Sequence, residues 1–142
     1  MSQLHLGTAN FGTQYGITNT RALDKSETKE ILNWAKGKIP YIDTAMDYVG
    51  SIERIHGHLD EFKVASKINL NSYATPKQLQ EGVRAHLEQL SIKKIDILYI
   101  RCPTPFKSKR NKSLIDSLYE LKGQGLVNDI GCSLYEIHEF EE

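Results

Sequence analysis

Residues 41–48, YIDTAMDY, combine a short apolar run of β type with two carboxylates and a closing tyrosine. If the first three of these residues form a buried strand, Asp43 lies at its carboxyl end and the following loop carries Tyr48. A second run of this kind, residues 62–66, leads to Lys67. A tyrosine hydroxyl with a pKa of about 10 is a poor acid at neutral pH, and a nearby ammonium lowers that pKa. The segment therefore predicts a proton-transfer site made of Asp43, Tyr48 and Lys67 at neighbouring strand ends.

Short β-branched runs alternate with longer amphipathic runs along the whole chain. The β-type runs predict five strands, at residues 4–7, 41–43, 63–67, 95–100 and 127–131. The amphipathic runs predict helices that begin at Asp24 or Ser26, at Ser51, at Thr75 and at Ser113, with a partial helix at 134–142. In the first of these helices, which ends near Gly37, the residues expected to face inward are Ile31, Leu32, Trp34 and Ala35. Such alternation predicts a parallel sheet with right-handed crossovers.

Two architectures share this alternation, the doubly wound open sheet and the closed eight-stranded barrel. The glycines after the first strand, Gly7, Gly12 and Gly16, do not form the phosphate-binding turn of a doubly wound nucleotide fold. Instead, polar residues lie at or just after the carboxyl ends of the predicted strands, in order Thr8, Asp43, Lys67, Arg101 and Ser133. One polar residue from each successive strand is typical of the catalytic face of a (β/α)8 barrel. Residues 1–142 are therefore predicted to be a single partial barrel of about five strands.

The composition favours a protein of the aqueous phase. Hydrophobic residues make up 39% of the 142 residues and charged residues 25%, and 18 basic residues balance 18 acidic ones. This balance predicts no nucleic-acid partner, and no run approaches the roughly 18 apolar residues of a membrane span. The two cysteines have no metal-binding spacing, so no metal site is predicted. The sequence also shows no pattern of a signal peptide near Met1, and a cytoplasmic location is predicted.

The order of these motifs resembles that of the aldo-keto reductases. The matching segments are LGTANFG at 6–12, IDTAMDY at 42–48, Glu53 with Gly57, ASK at 65–67, residues 96–103 and IGCS at 130–133. Three departures stand out. The spacing from tyrosine to glutamate is one residue longer, Arg101 occupies the place of the usual histidine, and Leu134 occupies that of the usual asparagine.

The resemblance implies a carbonyl reductase that uses NADPH and acts on a small-molecule aldehyde or ketone. It implies that Tyr48 donates a proton to the carbonyl oxygen, that Lys67 lowers the pKa of Tyr48, and that Asp43 holds Lys67. Arg101 cannot titrate near neutrality, but it could orient the carbonyl oxygen or clamp a substrate carboxylate or phosphate.

For the cofactor, the resemblance implies contacts from Thr8, Asp43 and Ser133. The family's elements for the phosphates and adenine of NADPH come mainly from the second half of its barrel, so NADPH binding by this chain alone is doubtful.

The length leads to a prediction of truncation. The family barrel typically has about 250 residues or more, and five parallel strands cannot close it. The chain alone is therefore predicted to be inactive, with another copy or a complementary chain covering its exposed sheet edges. Two alternatives remain. One is a non-catalytic half-barrel that assembles with another chain, and the other is a lyase that uses Lys67 as a Schiff-base amine.

Overall fold

The computed structural model describes residues 4–17, 20–101 and 108–134. In chain order the elements are β1 (His5–Gly7), α1 (Lys25–Ala35), β2 (Tyr41–Asp43), α2 (Val49–Ile55), β3 (Lys63–Asn69), a 3₁₀ turn (Leu70–Ser72), α3 (Pro76–Leu90), β4 (Ile95–Arg101), α4 (Lys109–Gly123) and β5 (Val127–Ser133). The five strands form one sheet in sequential order, and every neighbouring pair is parallel. The predicted alternation of strands and helices is confirmed.

The two faces of the sheet have different roles. On β3, Val64 and Ile68 point to the helices and are buried, whereas Lys67 and Asn69 lie on the opposite face. The helix side carries two clusters of buried residues, and in one of them Leu98 from β4 packs among leucines of α3 and α4. The other side is the one that faces inward when such a sheet closes into a barrel. By strand register, Asp43, Lys67, Arg101 and Ser133 lie on this inner side.

Strand register sets the spacing of these polar residues. Asp43 pairs with Ala65, so Lys67 lies two residues farther along the neighbouring strand and on the same face. Arg101 is level with Asn69 on one side and with Ser133 on the other. The site residues of β2 and β3 are therefore close neighbours, with Arg101 one strand farther away.

Capping residues explain where the helices begin. Asp24 forms a capping box with Glu27 at the start of α1, and Thr75 accepts a hydrogen bond from Gln78 N at the start of α3. Both predictions are confirmed. The prediction of Ser113 as the cap of α4 is wrong, since Ser108 is the cap. The first turn of α4 is polar, and the apolar periodicity that marks a helix begins only after it.

The orientation of Trp34 also differs from the prediction. Its side chain is 62% exposed, and the Lys38 ammonium lies 4.3 Å from the centroid of its ring. The buried positions of α1 are Thr28, Leu32 and Ala35, a spacing of four and three residues that leaves Trp34 on the solvent side.

The remaining differences concern the ends of elements. Three strands are longer than predicted: β3 continues to Asn69, β4 to Arg101 and β5 to Ser133. Helix α2 begins at Val49, before the predicted start at Ser51, so it follows Tyr48 directly. Residues 135–142, where a further helix is predicted, lie outside the described residues.

Candidate active site

An ion pair joins the carboxyl ends of β2 and β3. The Lys67 ammonium donates a hydrogen bond to Asp43 Oδ1, and a longer one of 3.3 Å to the backbone oxygen of Thr44. The exposed fractions of the two side chains are 15% for Lys67 and 28% for Asp43. Because both groups are partly shielded from water, each restricts the position of the other. The predicted contact between Asp43 and Lys67 is present.

Tyr48 lies near two cations. It occupies the N-cap position of α2 without a side-chain capping hydrogen bond, and the centroid of its ring is 5.8 Å from Lys67 Nζ and 5.9 Å from Arg101 Cζ. These distances are at the outer limit of a cation–π contact. The Tyr15 ring lies 6.5 Å away on another side. Tyr48, Lys67 and Arg101 therefore come together although they belong to three separate segments.

The pKa of Tyr48 is raised above its ordinary value of 10. Burial is the largest cause, because it penalises the charged phenolate, and the nearby Tyr15, Asp43 and Asp47 add to it. The charge of Arg101 acts in the opposite direction. The prediction that a neighbouring ammonium gives Tyr48 a lowered pKa is thus wrong in its net direction.

Arg101 is fixed by a carboxylate of the loop after β2. Its Nη1 donates to Asp47 Oδ2 at 2.6 Å, and its side chain is 24% exposed. The Nε atom of Arg101 is buried and has no hydrogen-bond partner within the described ranges. Arg101 also lines a cavity of about 160 Å³, whose other lining residues are Met46, Asp47, Lys67, Asn69, Ser72 and Tyr73.

Thr8 and Ser133 occupy different settings. Thr8 is completely buried, and its backbone N–H and its hydroxyl both donate to the Asp43 backbone oxygen, at 2.9 and 3.0 Å. Thr8 therefore holds β1 against the end of β2. Ser133 ends β5 beside Arg101 and is partly exposed. Their contacts with a cofactor stay predictions.

Several contacts that position the site residues were not predicted from the sequence. Gly12 and Gly50 touch so closely that a Cβ on Gly12 would lie 1.9 Å from the carbonyl carbon of Gly50. This contact fixes the loop after β1 against the start of α2, next to Tyr48. Arg110 holds the turn after β3, because its Nη2 donates to Tyr73 O at 2.5 Å. Glycines and a basic residue were visible in the sequence, but their partners are distant in the chain.

Neither a metal cluster nor a membrane helix was found in the described part of the chain. Residues 4–17, 20–101 and 108–134 contain no group of three or more His, Cys, Asp or Glu side chains placed to hold a metal ion. Over the same ranges, every helix is too short or too polar to cross a membrane.

A parallel sheet with alternating helices, whose polar residues gather at the strand carboxyl ends, is the arrangement of a barrel enzyme. The model of the aldo/keto reductase family matches residues 3–142. The chain belongs to the aldo/keto reductase family, and the resemblance seen in its motifs is confirmed.

Solved structures place the sheet within the family barrel. A protein of Pseudomonas aeruginosa described as an aldo-keto reductase is 26% identical, with a TM-score of 0.76 over 93% of this chain and 55% of its own. An aldo-keto reductase of Bombyx mori in complex with NADP is 18% identical, with a TM-score of 0.71 and coverages of 97% and 48%. One of Klebsiella pneumoniae in complex with NADPH is 18% identical, with a TM-score of 0.67 and coverages of 96% and 47%. The chain thus spans about half the length of these structures.

These matches confirm the predicted fold class, the N-terminal part of a (β/α)8 barrel. A comparison with the curated proteins gave no match.

Proposed function

We propose that the protein reduces the carbonyl group of a small molecule with NADPH as hydride donor, and that residues 1–142 supply the acid–base part of the site. The observation that carries this proposal is the ion pair between Asp43 and Lys67 beside Tyr48, at the strand carboxyl ends of an aldo/keto reductase chain. The NADP and NADPH bound to the Bombyx mori and Klebsiella pneumoniae proteins support the choice of cofactor.

Tyr48 is the proposed proton donor. Since its pKa lies above 10, the hydroxyl is protonated at neutral pH and a proton is available for the carbonyl oxygen of the substrate. Transfer leaves a phenolate, which the neighbouring positive charges of Lys67 and Arg101 stabilise. NADPH, when bound, would supply the hydride for the carbonyl carbon. Tyr48 must recover its proton from water before the next turnover.

Asp43 and Lys67 act as a unit in this proposal. Asp43 and the Thr44 backbone oxygen hold the Lys67 ammonium near the Tyr48 ring, so its charge needs no rearrangement when the phenolate forms. The same contacts oppose a lyase that uses Lys67 as a Schiff-base amine, because the nitrogen is engaged by two acceptors and is not free to attack a carbonyl carbon.

The residues for the cofactor fit in part. The Asp43 carboxylate and the Ser133 hydroxyl are partly exposed on the inner side of the sheet and would hold the nicotinamide end of NADPH. The Thr8 hydroxyl is buried and donates to the Asp43 backbone oxygen. Thr8 would therefore hold Asp43 in position for the cofactor. Within the described ranges, no Gly-rich turn at a strand end offers the cofactor's phosphates a site.

Three finer points stay predictions. The 142-residue chain alone is expected to be inactive, and another copy or a complementary chain is expected to cover the edges at β1 and β5. A cytoplasmic location is also expected. Among the described residues, β1 and β5 form the two edges of the sheet, and these edges favour a second candidate function, a non-catalytic half-barrel that assembles with another chain.

The proposed function is tested by NADPH oxidation with a carbonyl substrate, in the protein purified from its source and in the 142-residue chain. We expect Tyr48→Phe to lower kcat by about 10² to 10⁴, the usual contribution of a general acid. Tyr119→Phe, which changes a tyrosine that is 59% exposed on α4, serves as the matched control. Full activity of Tyr48→Phe would refute the role of Tyr48, and turnover by the 142-residue chain would refute its inactivity.

A further inference from the structure

A small cavity lies at the carboxyl ends of β3 and β4, next to the residues proposed for proton transfer. Its volume of about 160 Å³ is well below the roughly 300–1,000 Å³ of a pocket that holds a whole drug-sized ligand. It therefore fits one substituent of a substrate. Its walls include Lys67, Asn69, Ser72, Tyr73 and Arg101, which all carry hydrogen-bond donors.

The guanidinium of Arg101 contributes an unused edge. Nη1 is occupied by Asp47, but the buried Nε–H has no acceptor within the described ranges. Nε–H and Nη2–H lie side by side on a rigid plane, and this edge binds carboxylates and phosphates through two parallel hydrogen bonds. A buried N–H without an acceptor is costly, and Nε–H has none among the described residues, so a ligand oxygen brought to this edge would remove that cost.

The carboxylates near the cavity compete only weakly for this edge. Asp43 is engaged by Lys67. Asp47 also lines the cavity, but its side chain is 59% exposed, and exposed ion pairs contribute little free energy. The Tyr73 hydroxyl donates to Met46 Sδ at 3.8 Å, a weak acceptor that it can exchange for an oxygen atom.

The wall of the cavity is held in place before any ligand binds. Arg110 donates to the backbone oxygens of Leu70 and Tyr73, at 3.4 and 2.5 Å. The turn after β3, with Ser72 and Tyr73 on it, is thereby tied to the first turn of α4. A site with fixed walls loses less conformational entropy on binding.

We propose that this cavity binds a small oxyanion carried by the carbonyl substrate, a carboxylate or a phosphate, and that Arg101 is the residue that selects it. This inference rests on the proposed function and names its substrate class. The usual histidine of the family is a titratable group at this position, whereas Arg101 offers a permanent charge and a two-pronged edge. Carbonyl compounds that carry an anionic group are thus preferred over neutral ones.

Binding is tested first, by following the ¹H–¹⁵N resonance of Arg101 Nε during titration of the full protein. The probes are pyruvate, its methyl ester and inorganic phosphate, where the ester keeps the ketone and loses the charge. We expect pyruvate to shift this resonance at concentrations where the ester does not. Comparison of the shifts caused by pyruvate and by inorganic phosphate shows whether the cavity prefers a carboxylate or a phosphate. Equal shifts from pyruvate and the ester, or no shift with either anion, would overturn the proposal.

Variants show whether Arg101 itself carries the selection. Pyruvate affinity, measured by calorimetry, should fall at least about tenfold in Arg101→Gln, as expected for loss of a charge-assisted hydrogen bond. Arg84→Gln, on the outer side of α3 where Arg84 bonds Gln124, is the matched control and should keep the affinity. If Arg101→Gln does not fold, Arg101→Lys keeps the charge without the two-pronged edge and should bind more weakly. Unchanged affinity in the folded variant would refute the role of Arg101.

Steady-state kinetics separates this inference from the proposed function. The ratio of kcat/KM for pyruvate to that for methyl pyruvate should fall about tenfold in Arg101→Gln, whatever the effect on the rate itself. If the native protein reduces both compounds without preference, the proposed anion site is refuted and the proposed reductase function is retained. If an anion binds at Arg101 but no NADPH is oxidised, the reductase function is refuted and the anion site is retained.

Discussion

Acid should destabilise the fold through one buried histidine, His86 on α3. Its side chain is 1% exposed, and Nε2 lies 2.9 Å from the Ser66 hydroxyl on the helix side of β3. Its Nδ1 is buried and lacks a hydrogen-bond partner within the described residues. A second proton would place a positive charge in the protein interior, away from water. Burial accordingly lowers the pKa of His86 to about 4 from 6.5, against a smaller opposing effect of Gln89.

The pH range follows from the sign of that pKa change. Between pH 6.5 and about 4 the unfolded chain binds a proton at His86 and the folded chain does not, so the free energy of unfolding falls as the pH falls. The full contribution is present above pH 6.5 and is lost by about pH 4. At 1.36 kcal/mol for each pH unit, the interval corresponds to about 3 kcal/mol, a large part of the stability of an ordinary domain.

Urea unfolding followed by circular dichroism at pH 7, 6, 5 and 4.3 measures this loss. His86→Gln keeps a side chain that can bond Ser66 and removes the titrating group, so its free energy of unfolding should depend much less on pH over this range. His58→Gln removes a histidine of the loop after α2 and leaves His86 in place, so it should keep the native slope. A native protein whose stability does not change between pH 6.5 and 4.3 would refute the reasoning, as would equal slopes in the native protein and His86→Gln.

Two further predictions concern the setting of Tyr48. Arg101→Gln should raise the pKa of Tyr48 further, because the charge of Arg101 lowers that pKa in the native protein. Ultraviolet difference spectra and NMR of ¹³C-labelled tyrosine measure the change. A fall in the pKa of Tyr48 would contradict the proposed electrostatics. Gly12→Ala should cost about 1–3 kcal/mol in thermal unfolding, because its Cβ would meet the Gly50 backbone. Gly123→Ala, at the end of α4 with nothing within 4 Å of its Cβ, should instead be neutral or slightly stabilising, and equal effects of the two alanines would argue against the close contact.

The fold was largely predictable because its signals are local. The β-branched runs indicate the strands. The starts of α1 and α3 are indicated by capping residues, whose hydrogen-bond partners lie within four positions in the sequence. The prediction that Trp34 faces inward is wrong because side chains point in all directions around a helix, and one large apolar residue does not determine which face is buried. Ser108 was missed because a cap next to a polar first turn has no apolar periodicity to mark it.

The candidate site was predictable where register alone decides the geometry. Asp43 ends β2 and Lys67 lies near the end of the neighbouring parallel strand β3, so their contact follows from the topology. The pKa of Tyr48 was not predictable, because its direction depends on how much of the hydroxyl is buried, and spacing along the chain carries no such information. The pair of Asp47 and Arg101 joins residues 54 positions apart, and nothing in either segment indicates it.

Closure of the barrel would strengthen the electrostatics that these 142 residues establish. Lys67 and Arg101 lie on the inner side of the sheet, which a complete barrel shields from water. A lower local dielectric raises the cost of a phenolate at Tyr48 and also raises the benefit of each nearby cation. Since the carboxylates of Asp43 and Asp47 already pair with these cations, an anionic substrate group at Arg101 would weaken the net positive charge near Tyr48. Selection of an anion and stabilisation of the phenolate therefore draw on the charge of the same guanidinium.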